Sequence, residues 1–214
     1  MELMPYLCAR DADAEPGEAE QLPAFGAVPA GDWRDGLPVI GGDRCTLREL
    51  TLEDAPSLWA HLTTAHAARF ISTPPASVEG FEDFIRWAHR RRVEGRFACF
   101  GVVPAGETRA VGLFQIHVGE TGPRTAQWGF ALGAACWGTG IFLDGARHIV
   151  DFAFAHMGIR QLEARTVLQN ERANRALYKV GAVREAVLPR SFPWRGERLD
   201  QVLWTITREG SRAA

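Results

Sequence analysis

The chain has 214 residues, 46% of them apolar and 23% charged, with a formal net charge of −2. That composition suits a globular protein with one sizeable core and argues against nucleic acid as a bulk electrostatic partner. Its apolar runs fall well short of the ~18 residues a membrane helix needs. The four cysteines (Cys8, Cys45, Cys99, Cys136) are scattered, with no Cys-x-x-Cys and no clustered histidines, so neither a disulfide framework nor a metal site is expected. With acids near the start where a secretory leader carries Lys or Arg, a reduced, cytoplasmic setting is expected.

Residues 1 to about 36 are rich in Ala, Pro, Gly and acid and have no usable period, which predicts an extended or disordered arm. Leu22, Phe25 and Trp33 are the residues by which that arm could strap onto a domain spanning 37–214. Residues 44–50, "RCTLREL", alternate as a strand does, and Thr51 with Asp54 three residues on forms a short-armed capping box ahead of a helix. Ser77 is a second N-cap, and Phe81, Phe84, Ile85 and Ala88 share one helical face. Three strand-like runs follow at 96–103, 110–118 and 125–132, with glycine-containing turns between them.

Next comes "CWGTGIFLDGA", then a helix whose Ala146, Ile149, Val150, Ala153 and Met157 recur at helical spacing, with Gly158 as its C′ residue. Residues 160–168 read as a strand and Asn170 as the N-cap of a helix that turns Ala173, Ala176, Leu177 and Val180 inward and ends at Gly181. A hairpin turning near "WRGE" closes the chain. The element order predicts an α/β protein of the α+β type: a mixed, mostly antiparallel central sheet flanked by helices.

Gly138 and Gly140, just ahead of a helix, raise the question of phosphate binding, because helix N-terminal amides attract anions. A dinucleotide turn wants a third glycine where Leu143 stands, and a nucleotide P-loop wants Gly-Lys-Ser/Thr, which is absent. A tight strand-to-helix turn with no ligand is the remaining alternative on the glycines alone.

The stretches "WGFALGAACWGTGIFLDGARHIVDFAF" and "EARTVLQNERANRALYKVGAVREAVL" carry a resemblance to the GNAT superfamily of acyl-CoA N-acyltransferases, more narrowly to its RimJ/RimL-like branch. The resemblance runs from about Leu37 to Arg208. The family's loop, Gln/Arg-x-x-Gly-x-Gly/Ala, falls here on Trp137, Gly140 and Phe142, so one position of three matches strictly; Gly138 fills a position often glycine in this branch. Asn170, Ala173 and Gly181 match the spacing of the family's second motif.

The resemblance implies acetyl-CoA as acyl donor, held by Phe130 and Leu132 on a splayed strand edge, by Trp137, Gly138, Thr139, Gly140, Ile141 and Phe142 in the loop, and by Asn170, Asn174 and Lys179 on the last helix. Amide donation needs no side chain, so Phe142 is compatible with it provided its ring turns away from the diphosphate. Arg172, Arg175 and Lys179 form one stripe, either a solvated face or an attractor for phosphates. Asn170 is either an N-cap alone or also a cofactor contact.

The implied reaction is attack of a primary amine, on a protein N-terminus or a small molecule, upon an acetyl thioester. An alkylamine is protonated at neutral pH, its ordinary pKa being about 10.4, so a base is needed; a thiol leaves at about 8.5 and needs less help. In many relatives a tyrosine seven residues after the motif asparagine protonates the thiolate. Here that position is Leu177, with Tyr178 one residue off and expected at the surface, and the branch's serine is Ala173. Glu120 is the candidate base, with His117 and Gln127 as neighbours able to face the acceptor. Two alternatives stand: a GNAT-fold module that binds acyl-CoA with little catalysis, and, remotely, an oxidoreductase using the glycine turn. The first two helices and the final hairpin are expected to set acceptor choice. A homodimer is one expected assembly, with the arm covering the cleft or pairing with another subunit.

Overall fold

A computed structural model describes residues 31–64, 74–119, 124–194 and 196–208. Strands β1 (Ile40–Gly41), β2 (Cys45–Glu49), β3 (Phe97–Pro104), β4 (Gly112–Val118), β5 (Thr125–Leu132), β6 (Gln161–Val167), β7 (Val183–Trp194) and β8 (Glu197–Thr207) form one sheet in the order β1-β2-β3-β4-β5-β6-β8-β7. Every neighbouring pair is antiparallel except β5 with β6. The mixed, mostly antiparallel α/β sheet expected from the element order is the one observed.

Among the described residues four α-helices cover it: α1 (Ala55–Leu62), α2 (Val78–Val93), α3 (Ile141–His156) and α4 (Glu171–Lys179). Alternation along the strands sends side chains to two cores. Phe97, Cys99 and Leu113 join Leu58 and Leu62 of α1 and Phe81, Phe84 and Ile85 of α2 on one face. Phe100, Phe114 and Trp128 join Ile149 and Phe152 of α3 and Leu177 of α4 on the other. Trp33 is only 6% exposed and belongs to this second core; Leu22 and Phe25 lie outside the described residues.

Local signals acted where the sequence placed them. Ser77 accepts from the Gly80 amide at 3.2 Å, and Asn170 from the Ala173 amide at 3.2 Å. Asp54 does more than close a capping box. Fully buried, its carboxylate accepts from the Thr51 amide (2.9 Å) and hydroxyl (3.1 Å), from the Ala110 amide (2.9 Å), and from both terminal nitrogens of Arg48 (2.7 and 2.8 Å). It thereby ties β2, the entry to β4 and the start of α1 into one joint. Burial alone would raise its pKa, but the Arg48 bonds and the amides of Thr51 and Ala110 outweigh it and bring it down to about 2.

The final hairpin turns at "WRGE", between Trp194 and Glu197. β7 runs through "PRSFPW" by way of register shifts between Arg184 and Ala186 and between Leu188 and Phe192. Arg190 sits in the second irregularity at φ +49°. Two prolines and two bulges suit an outer strand whose far edge must not recruit another chain.

Candidate active site

β5 and β6 start together and then part. Thr125, Ala126 and Gln127 pair with Gln161, Leu162 and Glu163, after which β6 is paired only with β8. From Trp128 to Leu132, β5 therefore has no strand beside it on that side among the described residues. The gap continues into a cleft of about 720 Å³ between β5, the loop before α3, and α4.

The loop wall is built by conformation. Gly138 and Gly140 lie at φ +77° and +89°, a left-handed region that side chains with a Cβ avoid. Those two turns bring the chain into the N-terminus of the sixteen-residue α3 with Gly140 as its N-cap. The first-turn amides have no intrahelical acceptor, and there the positive end of the helix dipole lies. Thr139 turns its hydroxyl back, donating to the Cys136 carbonyl at 2.7 Å, while the Ile141 amide leans on the same hydroxyl at 3.4 Å. Arg44, just before β2, braces the outside of the loop through Nη1 to the Thr139 carbonyl (3.1 Å).

The acid in the first turn of α3, Asp144, is drawn away from the cleft: it accepts from the amides of Asp43 (3.3 Å), Arg44 (2.9 Å) and Cys45 (3.2 Å). Burial would raise its pKa, but these donors hold the carboxyl below the usual range. Its charge is thus spent on the β1–β2 turn rather than on the loop amides.

Phe142 lines the cleft and turns its ring onto the sheet. Its ring centroid is 4.5 Å from that of Phe130 and 5.8 Å from that of Phe114, and it packs against the second core. The bulk at the motif's small-residue position is absorbed by the aromatic side of the sheet. Trp137 donates Nε1–H to the Leu132 carbonyl at 3.0 Å, so that carbonyl on the splayed edge already has a partner. Alternation puts the main-chain groups of Phe130 on the same edge.

On α4, Arg172, Arg175 and Lys179 all line the cleft, and so does Asn170. The charged stripe therefore faces the cleft. Asn174, assigned to the cofactor on sequence grounds, does not line the cleft and is fully engaged elsewhere. Its Oδ1 accepts from Thr166 Oγ1 (2.5 Å) and Trp204 Nε1 (2.9 Å), and its Nδ2 donates to the carbonyls of Val167, Leu168 and Asn170. We correct that assignment: Asn174 locks the turn between β6 and α4 onto β8.

Leu177, at the family's acid position, is fully buried, and Tyr178 is 73% exposed, as expected. The Cys136 thiol lines the cleft, and burial raises its pKa, which keeps it protonated. His117 and Gln127 stand opposite each other on β4 and β5. Desolvation, with the charges of Arg91 and Arg96, pushes His117 down to about 4, so it is neutral at pH 7. Glu120 lies outside the described residues. Among the described residues no cluster of His, Cys, Asp and Glu could hold a metal ion, and no helix is long and apolar enough to cross a membrane.

Residues 44–183 match the family description "Acetyltransferase (GNAT) domain". The chain belongs to the GNAT acetyltransferase family. This GNAT chain is 23% identical over 173 residues to the uncharacterized N-acetyltransferase YoaA of Bacillus subtilis (strain 168), covering 80% of this chain and 98% of that protein. Its fold is shared with Mycobacterium smegmatis RimJ in complex with CoA-disulfide (TM-score 0.71, 22% identity, 80% and 88% of the two chains covered). It is shared equally with the ribosomal-protein-S5-alanine acetyltransferase of Vibrio fischeri (TM-score 0.73, 17% identity, 80% and 97%). The GNAT acetyltransferase carries Trp137 and Phe142 at two of the three positions of the loop motif set out above.

Arg44 and the partner of Trp137 escaped sequence reasoning. Arg44 reads as the start of a strand, and no spacing connects it to a loop almost a hundred residues later.

Proposed function

We propose that this acetyltransferase is an acetyl-CoA-dependent N-acetyltransferase acting on a primary amine, a protein N-terminus or a small-molecule amine. The observation that carries the reading is the meeting of Gly138 and Gly140, both left-handed, with the α3 N-terminus at the open end of the β5–β6 gap. The amides of Gly138 to Phe142 would donate to the diphosphate, a donation that needs none of the loop's own side chains. Phe130 and the free edge of β5 would flank the pantetheine arm, with Asn170 and Lys179 on the opposite wall. We assign catalysis to residues 37–214 and treat 1–36 as an appended arm. The structural neighbours named for ribosomal-protein acetylation favour a RimJ/RimL-like role, and a cytoplasmic setting suits it.

In the reaction the amine nitrogen bonds the acetyl carbon as the carbon–sulfur bond breaks, and the thiolate departs. The chain must orient the donor and take one proton from the amine. With Leu177 buried and Tyr178 at the surface, neither supplies an acid, and a thiolate needs none at neutral pH. For the base we propose Glu120, which follows the end of β4. Glu120→Gln is expected to lower kcat by about a hundredfold or more with little change in the KM for acetyl-CoA, and to remove the acid limb of the kcat/KM profile. Unchanged kcat would pass the role to water.

The function is tested by offering N-terminal peptides and small amines with acetyl-CoA and following free thiol. Thiol release that depends on the amine, with acetylated product, supports the assignment. Coenzyme A binding without turnover on any acceptor would favour a GNAT-fold binding module instead.

A further inference from the structure

A guanidinium lying on an indole is attracted by the ring face, while its N–H donors point outward in its own plane and stay available to an anion. Arg172 is held in this way: its Cζ is 3.6 Å from the centroid of the Trp137 ring. The ring is itself fixed, because its Nε1–H is bound to the Leu132 carbonyl at 3.0 Å. Strand β5, indole and guanidinium thus form a strut from the loop to α4, and Trp137 and Arg172 both line the cleft. Arg175 on the same stripe is paired with Glu171 at 2.7 Å, whereas Arg172 has no carboxylate or carbonyl acceptor among the described residues.

We infer that Arg172, parked on Trp137, is the residue that recognises the diphosphate of the acyl donor. Trp137 occupies the position where the family motif carries Gln or Arg; this chain supplies a cation there from α4 and uses the indole as its seat. The ring fixes the plane and height of the guanidinium, and an exposed planar fork so fixed matches the bidentate geometry of a phosphate. Loop amides and Arg172 would then approach the diphosphate from two sides. The inference rests on the proposed donor site.

The test is calorimetric titration of the full chain, Arg172→Ala and Arg172→Lys with coenzyme A and with 3′-dephospho-coenzyme A at two salt concentrations. Arg172→Ala is expected to weaken both ligands by about tenfold and to make binding less sensitive to salt, because one charge-assisted contact is gone. Arg172→Lys should recover only part of the loss, since an ammonium neither stacks nor forks. Unchanged affinity for coenzyme A in Arg172→Ala would overturn the inference. So would a loss confined to coenzyme A, which would move the contact to the 3′-phosphate. A loss with unaltered salt dependence would reduce Arg172 to a structural strut and overturn it equally. Failure of the unsubstituted chain to bind coenzyme A would overturn the donor-site reading along with it.

Discussion

Gly140→Val is expected to weaken coenzyme A binding by roughly five- to a hundredfold while the protein remains folded. The residue sits at φ +89°, ψ −12° as the N-cap of α3, where a β-branched side chain is a genuine outlier. Holding valine there would cost about 1–3 kcal/mol. The loop can escape that strain only by rotating the peptides on either side, which carry the amides assigned to the diphosphate. A Cβ at Gly140 would also come within 3.0 Å of Arg44 Cδ and Nε. That side chain is exposed and able to move, so the backbone conformation sets the penalty. Calorimetry reads the affinity and a melting curve reads the fold; wild-type affinity in Gly140→Val would mean that the left-handed turn does not shape the donor site.

The second large effect lies away from the cleft. Asp54→Ala is expected to cost about 3–5 kcal/mol of stability, because it leaves Arg48 half-paired beside a buried joint and strands the Ala110 amide. Asp54→Asn keeps the shape and loses the charge, so it should lie between the two proteins. The pH dependence follows from the depressed pKa. The folded carboxyl titrates at about 2 against an ordinary 3.8, so the folded state binds the proton more weakly than the unfolded chain. Its contribution, about 2–3 kcal/mol, is present above pH ~4 and is lost as the pH falls from there towards 2. Urea unfolding at pH 7, 4 and 2.5 should show the gap between wild type and Asp54→Asn narrowing as the pH drops. A gap of constant size would mean that the Arg48–Asp54 charge pair is not what stabilises the joint.

Much of this was legible in the sequence because the relevant signals are local. The caps at Ser77 and Asn170, the apolar face Phe81–Phe84–Ile85–Ala88 and the glycine-terminated α3 depend on residues within one or two turns, and each was in place. Phe142 could be reasoned out as well, since an amide-lined loop tolerates a large side chain only if the ring turns towards apolar neighbours. What stayed hidden depends on contacts between elements far apart in the chain. Asn174 carries a polar side chain on α4, the helix that walls the cleft, and only the position of Trp204 on β8, thirty residues on, shows that its amide is already spent. Nothing local in the sequence ties Asp144 to the β1–β2 turn, a hundred residues earlier, whose amides at Asp43 to Cys45 take its charge.

If the cleft between the Trp137–Phe142 loop and α4 is a coenzyme A site, calorimetric titration of the unsubstituted protein with coenzyme A should show it. Saturable one-to-one binding is expected, with a dissociation constant between about 1 µM and 1 mM, weakened in Gly140→Val and unaffected by substitution of the exposed Tyr178. No binding heat at millimolar ligand, or binding indifferent to Gly140→Val, would contradict it.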